Sequence, residues 1–123
     1  MEEEKKILVV DDNLAILEML DEVLSYYGYN VSTLSRAEKV FDRIDEYRPD
    51  LILMDIMLAG MDGRNICRAI KSVEKVSNIP VILISASETG SSCLNKEGAP
   101  NDFVQKPFDV TFLIERIEYQ LAA

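Results

Sequence analysis

The chain has no histidine among its 123 residues. This removes Ser-His and Cys-His nucleophilic pairs, imidazole metal sites and any role as a phosphohistidine donor. Cysteine is almost as scarce. Cys67 and Cys93 stand apart, match no metal or redox spacing, and are expected to be free thiols in a reducing compartment. No apolar run approaches the roughly 20 residues of a membrane span, and Met1-Glu2-Glu3-Glu4 lacks the features of a signal peptide. The expected location is the cytoplasm, with no membrane partner. Positive charge is also short: 13 Lys and Arg against 22 Asp and Glu leave a net charge of −9. That balance argues against direct contact with a nucleic-acid backbone. No repeat, low-complexity tract or linker divides the sequence, so residues 1–123 are expected to form a single domain. Any chemistry must come from carboxylates, hydroxyls, lysine and backbone.

What the chain does have is a series of short apolar runs, several of them ending in polar residues. Leu51-Ile52-Leu53-Met54 runs straight into Asp55, and the turn-rich Gly60-Met61-Asp62-Gly63 follows. An unbroken run of this length predicts a strand covered on both faces. Ile7-Leu8-Val9-Val10 has the same form and ends in Asp11-Asp12-Asn13. After it, Leu14, Leu17, Leu20, Leu24 and Tyr27 recur at helical spacing up to Gly28, a plausible stop. Asn30 to Leu34 is a weaker strand. Ser35-Arg36-Ala37-Glu38 has the spacing of a capping box for a second helix, with Ala37, Val40, Phe41 and Ile44 inward and an end before Pro49. A third helix is predicted over Gly63 to Val73, with Ile66, Ala69, Ile70 and Val73 inward and Asp62 or Gly63 at its start. Pro80 to Ile84 reads as a strand ending in Ser85-Ala86-Ser87. Glu88 to Pro100 allows only a short, weakly stabilised helix. Asp102 to Gln105 is a last strand closed by Lys106-Pro107, and Asp109 caps a final helix carrying Val110, Leu113, Ile114, Ile117 and Leu121.

Five strands alternating with five helices imply an α/β fold. The expected form is (βα)5, a doubly wound parallel sheet of flavodoxin-like order 2-1-3-4-5. That order makes the first and third strands neighbours, so Asp11, Asp12 and Asp55 meet at the switch point. Three ionised carboxylates in one crevice repel unless a cation joins them. A hard divalent ion resolves this, and Mg²⁺ suits a site of few carboxylates plus waters and a phosphate. The plainer alternative, that Asp11 and Asp12 only favour the first helix's N-terminus, fits one acid better than three. Ser85 and Lys106 arrive on the next two strands, offering a hydroxyl and an ammonium to a phosphoryl oxygen.

These residues, namely Val9-Val10-Asp11-Asp12-Asn13, Leu51 to Asp55 with Gly60-Met61-Asp62-Gly63, Ile84-Ser85-Ala86, and Gly98 through Asp102-Phe103 to Lys106-Pro107-Phe108, resemble the receiver domain of two-component response regulators. The resemblance spans essentially the whole chain. It implies that Asp55 is the phosphoacceptor, charged by a histidine kinase or a histidine phosphotransfer protein. Asp12, Asp55 and the carbonyl of Met57 would hold Mg²⁺, with Asp11 acting largely through water. Ser85, Lys106 and the amides of Met57 and Ala86 would hold the phosphoryl oxygens. Ser85 and Phe103 would form the switch, with the Glu88–Pro100 segment as its bistable element and a downstream protein or a second copy as the output partner. Such a domain promotes its own phosphorylation and dephosphorylation and is not an enzyme acting on an external pool. Three features depart from the family: Ala59 stands where proline is frequent, the segment between Ser85 and Gly98 is unusually rich in Gly and Ser, and Phe103 has no hydroxyl. The Lys106–Pro107 bond is cis in the family, although an X-Pro bond favours trans by default.

Readings of other classes fit less well. Aspartyl phosphatases carry Asp-x-Asp after the first strand, whereas Asp11 and Asp12 are adjacent. A flavin or nucleotide binder would need a Gly-rich phosphate loop there. The complete set of Asp11, Asp12, Asp55, Ser85 and Lys106 weighs against a degenerate receiver serving as a constitutive interaction module.

Overall fold

The computed structural model describes residues 4–86 and 98–122. Lys6–Val10 (β1), Leu51–Asp55 (β3) and Val81–Ser85 (β6) are unbroken apolar or nearly apolar runs, and they form the centre of one parallel sheet. Asn30–Leu34 (β2) and Asp102–Gln105 (β7) are its edges, in the order β2-β1-β3-β6-β7. This is the expected 2-1-3-4-5 order, with β6 and β7 as the fourth and fifth strands of the sheet. A small addition was not foreseen. Met57–Leu58 (β4) and Met61–Asp62 (β5) pair antiparallel beside the sheet, closing the loop after Asp55 as a hairpin. Gly60, at φ +72, occupies its turn.

Alternation along the strands divides the core in two. Leu8, Val10, Ile52, Met54, Val81 and Leu83 face Val40, Ile44, Ile66 and Ile70. Ile7, Val9, Leu53, Ile82, Ile84 and Val104 face Leu17, Leu20, Leu24, Leu113, Ile114 and Ile117. Both faces are therefore covered, so the central strands carry no polar alternation.

Among the described residues the α-helices are Leu14–Tyr26 (α1), Val40–Tyr47 (α2), Gly63–Ser72 (α3) and Val110–Ala122 (α4). Asn13 caps α1, its side-chain oxygen accepting from the amides of Ala15 and Ile16 at 2.9 and 3.2 Å. Gly28 follows the helix at φ +94, as its role as a stop requires. Leu14 and Tyr27, expected on the inner stripe, are exposed. Leu14 is the first helical residue, at the sheet's carboxyl edge, and Tyr27 already lies past the last turn.

The capping box at Ser35 does not form. The second helix begins as a 3-10 turn over Ala37–Lys39 with no side-chain cap, and Glu38 pairs instead with Arg36 at 3.0 Å. Three residues per turn shift the helical phase, leaving Ala37, Val40 and Ile44 buried and Phe41 exposed. Val73, also expected inward, is extended and exposed just past α3. Asp109 caps α4 as expected, accepting from Thr111 at 2.7 Å. Apart from Gly98, Ala99 and Pro100, the segment expected to hold a short helix lies outside the described residues, as does Cys93. Cys67 is buried, its thiol donating to the Gly98 carbonyl at 3.6 Å.

Candidate functional site

Parallel register brings the site together. Val10 pairs with Met54, so Asp11 and Asp55 emerge side by side where β1 and β3 end. Pairing runs one step beyond the strands. Asp11 donates its amide to Leu34 O, Ile56 to Ile84 O, and Lys106 to Ser85 O, at 3.1, 2.9 and 2.8 Å. The carboxyl edge thus collects Asp11, Asp12, Asp55, Ser85, Ala86 and Lys106 from four chain segments.

Among the described residues, Asp11, Asp55 and Ser85 are the buried polar or charged ones, at 2%, 8% and 0% exposure. Burying a carboxylate is costly unless it is paired. Lys106 Nζ lies 2.9 Å from Asp55 Oδ2 and 3.5 Å from Asp11 Oδ2. The other oxygens are also used: Asp55 Oδ1 accepts from the Met57 amide at 3.1 Å, and Asp11 Oδ1 from the Asn13 amide at 2.9 Å. The Lys106–Pro107 peptide is cis.

One ammonium does not balance three carboxylates. Burial raises the Asp11 pKa, and the Asp55 charge adds to that, against the opposing pull of the Asn13 amide and Lys106. Burial alone would lower the Lys106 pKa, but its hydrogen bond to Asp55 and the charges of Asp11 and Asp55 raise it. Carboxylate oxygens of Asp11, Asp12 and Asp55 all lie within 4.8 Å of one another, with Asp12 exposed. All-oxygen donors, excess negative charge and an open side fit a hard divalent cation that keeps waters.

The other expected site residues are placed as follows. Met57 follows the acid and is 70% exposed, with its amide already on Asp55. Ser85 is buried at the end of β6, and Ala86 is exposed beyond it. Phe103 is not at the carboxyl edge of the sheet. It sits within β7 opposite Leu83, half-buried against the α2/α3 side of the core. An apolar groove of about 410 Å³ opens beside Lys106, between α1 and the turn into α4, lined by Ile16, Met19, Pro107, Phe108 and Val110.

Two contributions were not legible in the sequence. The Asn13 amide on Asp11 depends on a local turn. Gly63, read only as a helix start, packs its backbone directly against that of Asp55. The Gly60-Met61-Asp62-Gly63 run was the available signal, but it does not reveal the approach.

The family model of the response regulator receiver domain matches residues 7–118. The chain belongs to that family. The DNA-binding response regulator MtrA of Mycolicibacterium smegmatis is 34% identical over 118 residues, covering 95% of this chain and 50% of the relative. MtrA of Mycobacterium tuberculosis is 33% identical over the same span. The chain therefore spans about half the length of the curated relatives it matches. Among solved structures, the receiver domain of NtrX from Brucella abortus is 30% identical, with a TM-score of 0.84 over 95% of this chain and 98% of that one. The signal receiver domain of a histidine kinase from Syntrophus aciditrophicus is 28% identical, with a TM-score of 0.86 over 96% and 90%.

Residues 7–118 are accordingly a receiver domain of two-component phosphorelay signalling, and such domains are signalling domains and not typical enzymes. No helix of the described residues is long and apolar enough to cross a membrane. The expectation of no nucleic-acid contact does not extend to a protein of the relatives' length, since MtrA is DNA-binding.

Proposed function

We propose that Asp55 accepts a phosphoryl group from a histidine kinase or a histidine phosphotransfer protein in a Mg²⁺-dependent reaction. The observation that carries this is Asp55 itself: buried, beside Asp11 and Asp12, with Lys106 Nζ at 2.9 Å. A carboxylate oxygen attacks phosphorus, the P–N bond to the donor's imidazole breaks, and the imidazole leaves. Asp11, Asp12, Asp55 and the Met57 carbonyl are the groups that would hold Mg²⁺, which neutralises charge on the phosphoryl oxygens when bound. Lys106 moves from pairing two carboxylates to pairing the new phosphoryl oxygens. The Ser85 hydroxyl and the amides of Met57 and Ala86 complete the donor set.

The mark adds about −1.5 to −2 charges at one strand end. Ser85 then turns towards it, and Phe103 moves further in, held by packing because it has no hydroxyl. Residues 88–100 join these two positions in sequence; the expected bistable element falls there, and residues 88–97 lie outside the described residues. Hydrogen exchange there that is the same with and without a phosphoryl mimic would sink that part. Water later hydrolyses the acyl phosphate. The domain occupies the whole chain, acts in the cytoplasm and signals to a downstream protein or a second copy.

The test is incubation with Mg²⁺ and acetyl phosphate, followed by intact mass. One phosphoryl adduct is expected, absent without Mg²⁺ and in Asp55→Asn. An adduct of equal yield in Asp55→Asn overturns the reading.

A further inference from the structure

The loop after Asp55 is closed at its neck by two contacts of Gly63. The Gly63 amide donates to the Ile56 carbonyl at 2.7 Å, which closes the chain from 56 to 63 into a ring containing the β4–β5 hairpin. At the same point the buried Gly63 lies flat against the end of β3. A Cβ there would overlap the Asp55 carbonyl oxygen and come within 2.9 Å of Ile56 Cα and 3.1 Å of the Asp55 carbonyl carbon. All three are backbone atoms, so no side-chain rotation relieves the overlap. Either the first turn of α3 or the strand end must move.

The strand end carries Asp55, and the ring carries Met57, whose amide already lies 3.1 Å from Asp55 Oδ1. Gly60 provides a contrast within the same ring. Its φ of +72 makes an added side chain strained, but a Cβ there meets nothing within 4 Å. A substitution at Gly60 strains the turn, whereas one at Gly63 must move either the first turn of α3 or the strand end that carries the acid.

We propose that Gly63 is a positioning residue for phosphoryl acceptance: its missing Cβ and its amide bond to Ile56 together set where Asp55 and the Met57 backbone stand relative to Lys106. This rests on the reading that Asp55 accepts the phosphoryl group.

The test compares Gly63→Ala with Gly60→Ala in the full chain, below the melting midpoint of each and with folding checked by circular dichroism. Two quantities are read: the rate of adduct formation from acetyl phosphate with Mg²⁺, and the fluorine NMR resonances of the beryllofluoride complex. Gly63→Ala is expected to slow adduct formation by about 10- to 100-fold, the scale of a misplaced reacting group, and to shift the fluorine resonances. Gly60→Ala is expected to lower the melting temperature while leaving rate and resonances near those of the unsubstituted protein. If Gly63→Ala melts lower but keeps both, its role is only structural and the proposal is overturned. Should Gly63→Ala not fold, replacing the Asp62–Gly63 peptide by an ester through chemical ligation removes the amide donor without adding a Cβ. A slowed rate with shifted resonances then supports the proposal, and unchanged values overturn it. Absence of any adduct on the unsubstituted protein would instead refute the Asp55 reading, a different outcome.

Discussion

Among the described residues Lys106 pairs with the acids, 2.9 Å from Asp55 and 3.5 Å from Asp11. Lys106→Ala is expected to slow phosphorylation from acetyl phosphate on the order of 100-fold, because one preorganised charge is lost from the developing phosphoryl group. Timed intact-mass measurements at fixed Mg²⁺ check this. Asp62 makes a different contribution. Its carboxylate caps α3 by accepting from the Arg64 amide at 2.8 Å and also pairs with the Arg64 guanidinium. Asp62→Ala is expected to cost about 1 kcal/mol in urea unfolding, as an ordinary N-cap does. The Arg64 side chain's hydrogen bond lowers the Asp62 pKa below 3.8. The unfolded chain therefore binds the proton more readily, and the charge stabilises the fold above that pH and ceases to do so as pH falls through the folded value. Asp62→Asn keeps a cap but not the charge. Its stability deficit should be largest above pH 3.8 and close below it in acid titrations followed by circular dichroism. Asp11, Asp12, Asp55, Ser85 and Lys106 were legible in the sequence because strand ends could be counted. The Gly63 approach and the Asn13 amide on Asp11 were not, since both depend on backbone proximity that no residue type encodes.

The elements divide similarly. Central strands were readable because burial on both faces demands unbroken apolar runs, and β1, β3 and β6 have them. The start of the second helix departs from the capping pattern of Ser35 to Glu38, which loses to an Arg36–Glu38 ion pair and a 3-10 turn. This difference has a measurable consequence at Phe41, which is 41% exposed, whereas Leu53 in β3 is fully buried. Leu53→Ala is expected to cost about 2–5 kcal/mol in urea unfolding, through lost transfer energy and the cavity left behind. Phe41→Ser should change stability by about 0.5 kcal/mol or less, as an exposed substitution does. A Phe41 cost equal to that of Leu53 would restore the capping-box phase. The hairpin of Met57–Leu58 with Met61–Asp62 also escaped the sequence, because two-residue strands leave no periodicity to detect. It shows how the loop is ordered with Ala59 where proline is frequent in the family.

At the scale of the whole molecule, net charge and site chemistry act together. A chain of net charge −9 that concentrates three acids at one sheet edge gains from a divalent cation there. A ligand that binds only the folded state stabilises it by mass action, about 2.7 kcal/mol at 100 times its Kd. Mg²⁺ is thus expected to raise the melting temperature in a concentration-dependent way, and Asp12→Asn to weaken that response, as read by thermal denaturation. The division of the core adds a further consequence. Odd-numbered residues of β1 and β3, and even-numbered ones of β6 and β7, face α1 and α4, and Asp11, Asp55 and Lys106 continue those counts. The placement of these three residues is therefore a matter of parity. Deleting one residue within β3 would exchange its two apolar sets and put the wrong residue at the sheet's edge. A frame-preserving exchange of whole strands keeps that parity even when every side chain differs. Recombination between such chains is constrained by arithmetic before it is constrained by chemistry.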